Sequence, residues 1–133
     1  MNLLLDTHVW IWAVEDPKQL GRKTRTALSD SRNERAVCAV STLELARLVW
    51  SRDLVLRIPV QEWISKSLLD LRAESLPVTD EIAVEAYRLP EPFHRDPADR
   101  QIVACARLGG LTVVTADDRI LDWTHVTTQD ARE

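Results

Sequence analysis

The amino-acid sequence predicts an α/β sandwich built around a mostly parallel sheet. Short apolar runs of strand length alternate with longer segments of helical periodicity, beginning with 2–6 and 7–14. No hairpin dipeptide such as Asn-Gly joins adjacent apolar runs, so sequential antiparallel pairing is not expected. Strands that alternate with helices are typical of parallel sheets, and ligands of such sheets bind at the carboxyl ends of the strands.

The first half of the chain begins with the apolar run Leu3-Leu4-Leu5, which is suited to a buried strand. The next segment places Val9 and Trp10 at helical spacing until Pro17 ends it. A small, β-branched run at 36–40 has the composition of a strand that is buried on both faces. In chain order, the elements predicted here are strand 2–6, helix 7–14, helix 20–31, strand 36–40, helix 41–52 and helix 60–72.

The second half contains a loop between Pro90 and Pro97 and a glycine pair, Gly109-Gly110, that closes a helix. Asp80 is placed to cap the helix that precedes this loop. In chain order, the predicted elements are strand 76–78, helix 80–87, helix 98–108, strand 111–115, a helical turn near 120 and a short strand near 126.

Length and composition fit one soluble globular domain over 1–133, with 45% hydrophobic and 29% charged residues. No apolar run is long enough to span a membrane, and no basic residue precedes Leu3-Leu4-Leu5 as it would in a secretory signal. Cys38 and Cys105 lack metal-binding spacing and are expected to be reduced core thiols, which favours a cytoplasmic protein. The net charge of −4 argues against a broad basic surface for nucleic acid.

Four acidic residues follow predicted strands or begin the helices after them. They are Asp6, Glu44, Asp99 and Asp117. Because parallel strands share one carboxyl edge, these side chains are expected to converge. Clustered carboxylates repel one another unless a cation neutralises them, and a hard ion such as Mg²⁺ or Mn²⁺ suits oxygen ligands. The cluster therefore predicts a metal-dependent phosphoryl-transfer site, in which the metal acidifies a water for attack on a phosphodiester.

Each acid also has a purely structural interpretation. Asp6 and Asp96 could cap helices, Asp99 could be the acidic residue in the first turn after Asp96, and Ser41-Thr42-Leu43-Glu44 matches a capping box. Asp117 could belong to a turn, and its neighbour Asp118 is interpreted as a surface residue. Capping alone does not explain why carboxylates are present at all four positions, because Ser, Thr or Asn would cap as well.

Four segments in order carry recognisable motifs. They are Leu3-Leu4-Leu5-Asp6-Thr7-His8, Ser41-Thr42-Leu43-Glu44-Leu45-Ala46, His94-Arg95-Asp96-Pro97-Ala98-Asp99-Arg100 and Thr112-Val113-Val114-Thr115-Ala116-Asp117. With these segments the sequence resembles PIN-domain ribonucleases of the VapC toxin type. The resemblance implies a PIN-like three-layer α/β/α sandwich and a Mg²⁺- or Mn²⁺-dependent endoribonuclease.

The resemblance also implies individual roles. Asp6, Glu44 and Asp99 match the family's core acids, and Asp117 matches its fourth acid. Thr115 matches a hydroxyl position that bonds a metal water or a phosphate. Three neighbouring residues are secondary candidates: Asp96 for contact with the metal, and Arg95 and Arg100 for contact with phosphates.

The partners implied by the resemblance are an RNA substrate, a second copy of the chain and a cognate antitoxin. Trp50 and Trp63 lie on the two middle predicted helices, and we hypothesise that these helices form a groove for the antitoxin. The alternative function is a catalytically degenerate PIN-fold module that only binds RNA or protein. The complete set of four acids argues against this alternative.

Overall fold

Five parallel strands form the central sheet in a computed structural model, which describes residues 1–133. In chain order they are β1 (Asn2–Leu5), β2 (Glu34–Cys38), β3 (Ala73–Leu76), β4 (Thr112–Thr115) and β5 (Thr128–Asp130). Their order across the sheet is β3-β2-β1-β4-β5. The first strand of the chain therefore lies at the centre, and the predicted α/β class with a parallel sheet is confirmed.

Seven α-helices cover the two faces of this sheet. They are α1 (Thr7–Glu15), α2 (Arg22–Ser29), α3 (Ala39–Trp50), α4 (Val60–Leu71), α5 (Asp80–Glu85), α6 (Pro97–Gly109) and α7 (Asp118–Leu121). A short 3₁₀ turn at Pro17–Gln19 follows α1. None of these helices has both the length and the apolar character that crossing a membrane requires.

Alternation along β1 divides the interior into two hydrophobic cores. Leu4 packs with the apolar residues of α5 and α6 on one face, whereas Leu3 and Leu5 pack with those of α1 and α4 on the other. All three leucines are at most 1% exposed. The chain therefore has three layers, as the resemblance implies, and β1 is fixed between β2 and β4.

The register of the central strands places the end of β1 between its two neighbours. Leu5 is paired with Val37 of β2 and with Val114 of β4. The next residue, Asp6, donates its backbone N–H to the Val114 carbonyl at 3.0 Å. Asp6 is thereby held at the carboxyl edge of the sheet.

The second strand begins two residues earlier than predicted, at 34 rather than 36, and α3 begins at Ala39. The reason is Arg35, a charged residue in a buried strand, whose guanidinium donates to the carbonyls of Leu28, Asp30 and Leu71. These bonds compensate a buried charge, and a charged residue is not expected in a buried strand from the sequence alone.

The capping-box interpretation of Ser41 and Glu44 is wrong, because the N-cap of α3 is Cys38.

The two edge strands also differ from the predicted ranges. The third strand is Ala73–Leu76 rather than 76–78, and the last is Thr128–Asp130 rather than near 126. Glu74 and Ser75 are exposed in β3, and β5 has no apolar residue. Strands of this kind have no hydrophobic periodicity from which their limits could be recognised.

Trp63 belongs to the core rather than to a docking surface. It is 4% exposed, its ring centroid lies 5.4 Å from that of Trp10, and its Nε1 donates to Glu15 Oε1 at 2.8 Å. Trp50, in contrast, is 84% exposed. Trp63 is therefore not available as an exposed anchor, because this side chain is already packed and hydrogen-bonded, and the groove formed by the two helices stays a prediction.

Replacing Trp63 with Phe should lower the free energy of unfolding by about 1–2 kcal/mol, because it removes the hydrogen bond to Glu15 and part of a packed ring. The matched replacement Trp50→Phe should change it by less than about 0.5 kcal/mol, since that ring is exposed. Urea unfolding of both variants measures the difference. Equal stabilities would contradict the core assignment of Trp63.

Candidate active site

A cavity of about 310 Å³ opens at the carboxyl ends of the central strands. All four acids predicted from the sequence line it. The remaining lining residues are His8, Trp12, Asp96, Ala116 and Arg119. Residues that follow β1 and β4 are thus brought together with residues of α3 and α6, as parallel topology requires.

Asp6 is held by hydrogen bonds to both carboxylate oxygens. Its Oδ1 accepts the Thr7 backbone N–H at 2.7 Å, which makes it the N-cap of α1, and its Oδ2 accepts the Thr115 hydroxyl at 2.7 Å. Burial raises the pKa of Asp6, and the bonds from Thr115 and Thr7 partly oppose that rise. Thr115 Oγ1 also accepts the Asp117 backbone N–H at 3.0 Å, so one hydroxyl joins two of the acids.

Glu44 lies on α3 and reaches the cavity from the β2 side. The Thr7 hydroxyl donates to Glu44 Oε1 at 2.9 Å and lies 2.8 Å from Ser41 Oγ. Since a carboxylate only accepts, the Thr7 hydroxyl donates its one proton to Glu44, and the Ser41 hydroxyl donates to Thr7 Oγ1. Burial is the main cause of the raised pKa of Glu44. Ser41 therefore positions Glu44 through Thr7 instead of capping the helix.

Asp99 has the strongest electrostatic perturbation in the cavity. It lies in the first turn of α6 and is 8% exposed. Burial, followed by the negative charges of Asp6, Asp96, Asp117 and Glu44, raises its pKa to about 8. A buried carboxylate surrounded by other carboxylates is costly as an anion unless a cation is present.

Asp117 caps α7 and is paired with an arginine that the sequence analysis did not select. Arg119 Nη2 lies 2.8 Å from Asp117 Oδ2, and its Nε lies 3.1 Å from Asp117 Oδ1. This pairing holds the pKa of Asp117 below its usual value. The same Nη2 is 3.7 Å from Asp99 Oδ2. The sequence feature that could have identified Arg119 is its position two residues after Asp117, the last of the four acids.

A model of the PIN domain family matches residues 3–125. The chain belongs to the PIN-domain family. This PIN domain is 36% identical over 124 residues to Ribonuclease VapC22 of Mycobacterium tuberculosis, and the match covers 93% of each chain. The resemblance inferred from the four motifs is therefore confirmed.

Solved structures support the same fold. The crystal structure of VapBC2 from Rickettsia felis, bound to a DNA fragment from their promoter, matches with a TM-score of 0.70 at 15% identity, covering 97% of this chain and 98% of that one. DNA-bound VapBC from Salmonella typhimurium matches with a TM-score of 0.67 at 19% identity, covering 98% of both chains. These values establish a shared fold over nearly the whole PIN domain.

The residues of this PIN domain fit a divalent cation. One ring nitrogen of His94 and carboxylate oxygens of Asp99 and Asp117 all lie within 4.8 Å of one another. His94 Nε2 is 3.1 Å from Asp99 Oδ2 but is not aligned for a hydrogen bond, so it is a buried polar atom without a partner. Oxygen-rich ligand sets of this kind suit Mg²⁺ and Mn²⁺. His94 is not among the metal ligands expected from the sequence.

Arg100 is not available to orient phosphates, so this expectation is wrong. Its guanidinium is buried and donates to the backbone carbonyls of Ala86, Phe93 and His94 and to the Glu91 carboxylate. Four of its five N–H groups are bonded within the protein, and Arg100 does not line the cavity. In this PIN domain Arg100 instead fixes the loop that carries His94.

The remaining secondary candidates lie in different places. Asp96 lines the cavity and is the N-cap of α6, where its Oδ1 accepts the backbone N–H groups of Ala98 and Asp99, as the capping interpretation predicts. Arg95 is exposed and does not line the cavity. Asp118 does not line it, is exposed and pairs with Arg132 at 2.7 Å, which confirms the surface interpretation.

Proposed function

We propose that this PIN domain is a metal-dependent endoribonuclease that acts as the toxin of a toxin–antitoxin pair. The observation that carries the proposal is the convergence of Asp6, Glu44, Asp99 and Asp117 in one cavity at the carboxyl edge of the sheet. The relative from M. tuberculosis is named a ribonuclease, and the solved structures with this fold include a toxin–antitoxin complex from Klebsiella pneumoniae. All four carboxylates are present, and nothing favours the degenerate binding module.

Asp6, Glu44, Asp99 and Asp117 would hold Mg²⁺ or Mn²⁺, with Asp96 and His94 beside them. The bound cation would acidify a water for attack on the phosphodiester and offset the charge that develops there. Thr115 fixes one oxygen of Asp6, and Thr7 fixes one oxygen of Glu44. Helices α1 and α6 begin at this edge of the sheet and add positive potential toward an incoming phosphate.

A protein partner is supported by large apolar side chains that the fold leaves exposed. Leu43 and Trp50 of α3 are 70% and 84% exposed, and Leu69 of α4 is 78% exposed. Apolar groups of this size on a surface are typical of interfaces. We propose that a cognate antitoxin binds this chain and that a second copy forms a homodimer with it. The RNA substrate and the two free thiols, Cys38 and Cys105, fit action in the cytoplasm.

Incubation of the purified protein with total bacterial RNA tests the nuclease. Cleavage should occur with Mg²⁺ or Mn²⁺, stop with EDTA and return when Mn²⁺ is added in excess. Asp6→Asn should abolish cleavage, whereas Asp118→Asn, which removes the same charge outside the cavity, should retain it. Absence of cleavage with either metal, or cleavage that survives Asp6→Asn, would refute the proposal.

Thr115→Val should reduce kcat/KM for RNA about tenfold, because it removes the hydroxyl that joins Asp6 to Asp117 and keeps the volume of the side chain. Thr115→Ser retains the hydroxyl and should stay within about threefold of the wild type. Single-turnover cleavage at saturating Mn²⁺ measures both variants. Wild-type activity in Thr115→Val would show that the hydroxyl is dispensable.

A further inference from the structure

We propose that Arg119 is an internal counter-ion of the acidic cavity. It competes with the divalent cation for Asp99 and Asp117, and after displacement it binds a phosphate of the RNA. The competition depends only on the cavity, whereas the phosphate contact rests on the proposed ribonuclease function. The two parts therefore need separate measurements.

The first part of the proposal, competition with the cation, rests on the position of the Arg119 guanidinium. Nη2 of Arg119 lies 2.8 Å from Asp117 Oδ2 and 3.7 Å from Asp99 Oδ2. Oxygens of these same two carboxylates belong to the cluster whose ligand atoms lie within 4.8 Å of one another. A positive group that contacts both acids reduces their repulsion and occupies the approach to them. A divalent cation that binds both must therefore displace the guanidinium.

Arg119 is held by a local Asp-x-Arg motif, and only its position in the fold distinguishes it from two other arginines that are held in the same way. This motif occurs three times, in Asp30–Arg32, Asp117–Arg119 and Asp130–Arg132. In each, the arginine backbone N–H, Nε and Nη2 donate to the aspartate. Among the three arginines, Arg119 alone lines the cavity and approaches a carboxylate of α6.

Displacement of Arg119 costs little. Its side chain is 60% exposed, and exposed ion pairs contribute at most about 1 kcal/mol in most measurements. The side chain is anchored by a four-residue helix at the rim, so release leaves the guanidinium beside the cavity. Competition by Arg119 therefore lowers the affinity for the metal without preventing its binding.

The second part of the proposal, the contact with an RNA phosphate, rests on the charges of the residues that line the cavity. Arg119 is the only arginine or lysine among the cavity residues, whereas five of them are carboxylates. A guanidinium forms two parallel hydrogen bonds with a phosphate and keeps its charge at every working pH. Arg95 does not line the cavity, and Arg100 has its hydrogen bonds inside the protein. Arg119 is thus the side chain placed to receive the RNA backbone.

The test compares Arg119→Gln with Arg132→Gln, which breaks the equivalent Asp-x-Arg motif outside the cavity. Calorimetric titration of the metal-free full chain with Mn²⁺ should show that Arg119→Gln binds the ion about two- to fivefold more tightly, the range that exposed ion pairs imply. At saturating Mn²⁺, the same variant should have a KM for RNA about tenfold higher, with kcat within about twofold of wild type. Arg132→Gln should leave both quantities unchanged.

The Mn²⁺ titration and the KM measurement decide different parts of the proposal. Unchanged or weaker Mn²⁺ binding by Arg119→Gln overturns the competition. Tighter Mn²⁺ binding with unchanged KM overturns the phosphate contact and leaves Arg119 as a counter-ion alone. If the wild type cleaves no RNA, the proposed function fails, and the titration still decides the competition. Arg119→Lys, which keeps the charge but not the fork, should bind Mn²⁺ like the wild type.

Discussion

Replacing Asp99 with Asn should lower kcat/KM for RNA cleavage by about a thousandfold or more while the protein stays folded. Asp99 is a buried carboxylate in the cavity, and an amide of the same shape supplies no negative charge to a cation. Loss of the cation from the site removes several kcal/mol of transition-state stabilisation. Cleavage at saturating Mn²⁺, with near-ultraviolet circular dichroism to monitor folding, measures the effect.

Asp118→Asn is the matched control, because Asp118 is exposed and paired with Arg132 outside the cavity. It should keep wild-type activity and rule out a general effect of the lost charge. Substantial cleavage by a folded Asp99→Asn protein would remove Asp99 from the catalytic assignment. Calorimetry should then show Mn²⁺ binding that does not depend on this side chain.

In the absence of metal, the same substitution should make the protein more stable, increasingly so as the pH rises. The pKa of Asp99 is about 8 in the folded protein against a reference value of 3.8. A carboxyl whose pKa is raised by folding contributes its stability at low pH and loses it as the pH rises through the folded value. The stability lost by the wild type between pH 5 and pH 8.5 should exceed that lost by Asp99→Asn by about 4 kcal/mol.

Urea unfolding in EDTA at the two pH values measures this difference. Asp6 and Glu44, whose pKa values are also raised, act in the same direction in both proteins, so the comparison reports Asp99 together with its coupling to these two acids. Saturating Mn²⁺ should reverse the order at pH 8.5, because the wild type gains the free energy of metal binding. A stability difference independent of pH would mean that Asp99 is ionised throughout this range.

The centre of the sheet was predictable from the sequence, and its edges were not. Leu3-Leu4-Leu5 and the run before Thr115 are apolar because β1 and β4 are buried on both faces. Arg35 made the start of β2 unrecognisable, since its charge is satisfied by carbonyls at the end of α2 and by the Leu71 carbonyl, 36 residues later in the chain. The polar strand β5 has no pattern that distinguishes it from a loop.

For the cavity, residue type was predictable and side-chain direction was not. The four acids could be expected to converge because they follow strands that share one edge. Arg100 was expected from the sequence to contact phosphate and Arg119 was not, although both stand close to an acid in the chain. Their roles depend on tertiary contacts: the loop carbonyls of Phe93 and His94 bind Arg100, whereas Asp117 directs Arg119 into the cavity.

The placement of β1 at the centre of the sheet also sets when the cavity forms during synthesis. Asp6 is joined to Thr115, 109 residues later in the chain, and β1 needs β4 as a neighbour. A nascent chain that has not yet emerged beyond β4 therefore has one wall of the cavity missing. The cavity, and with it the proposed nuclease activity, can form only after β4 has been synthesised.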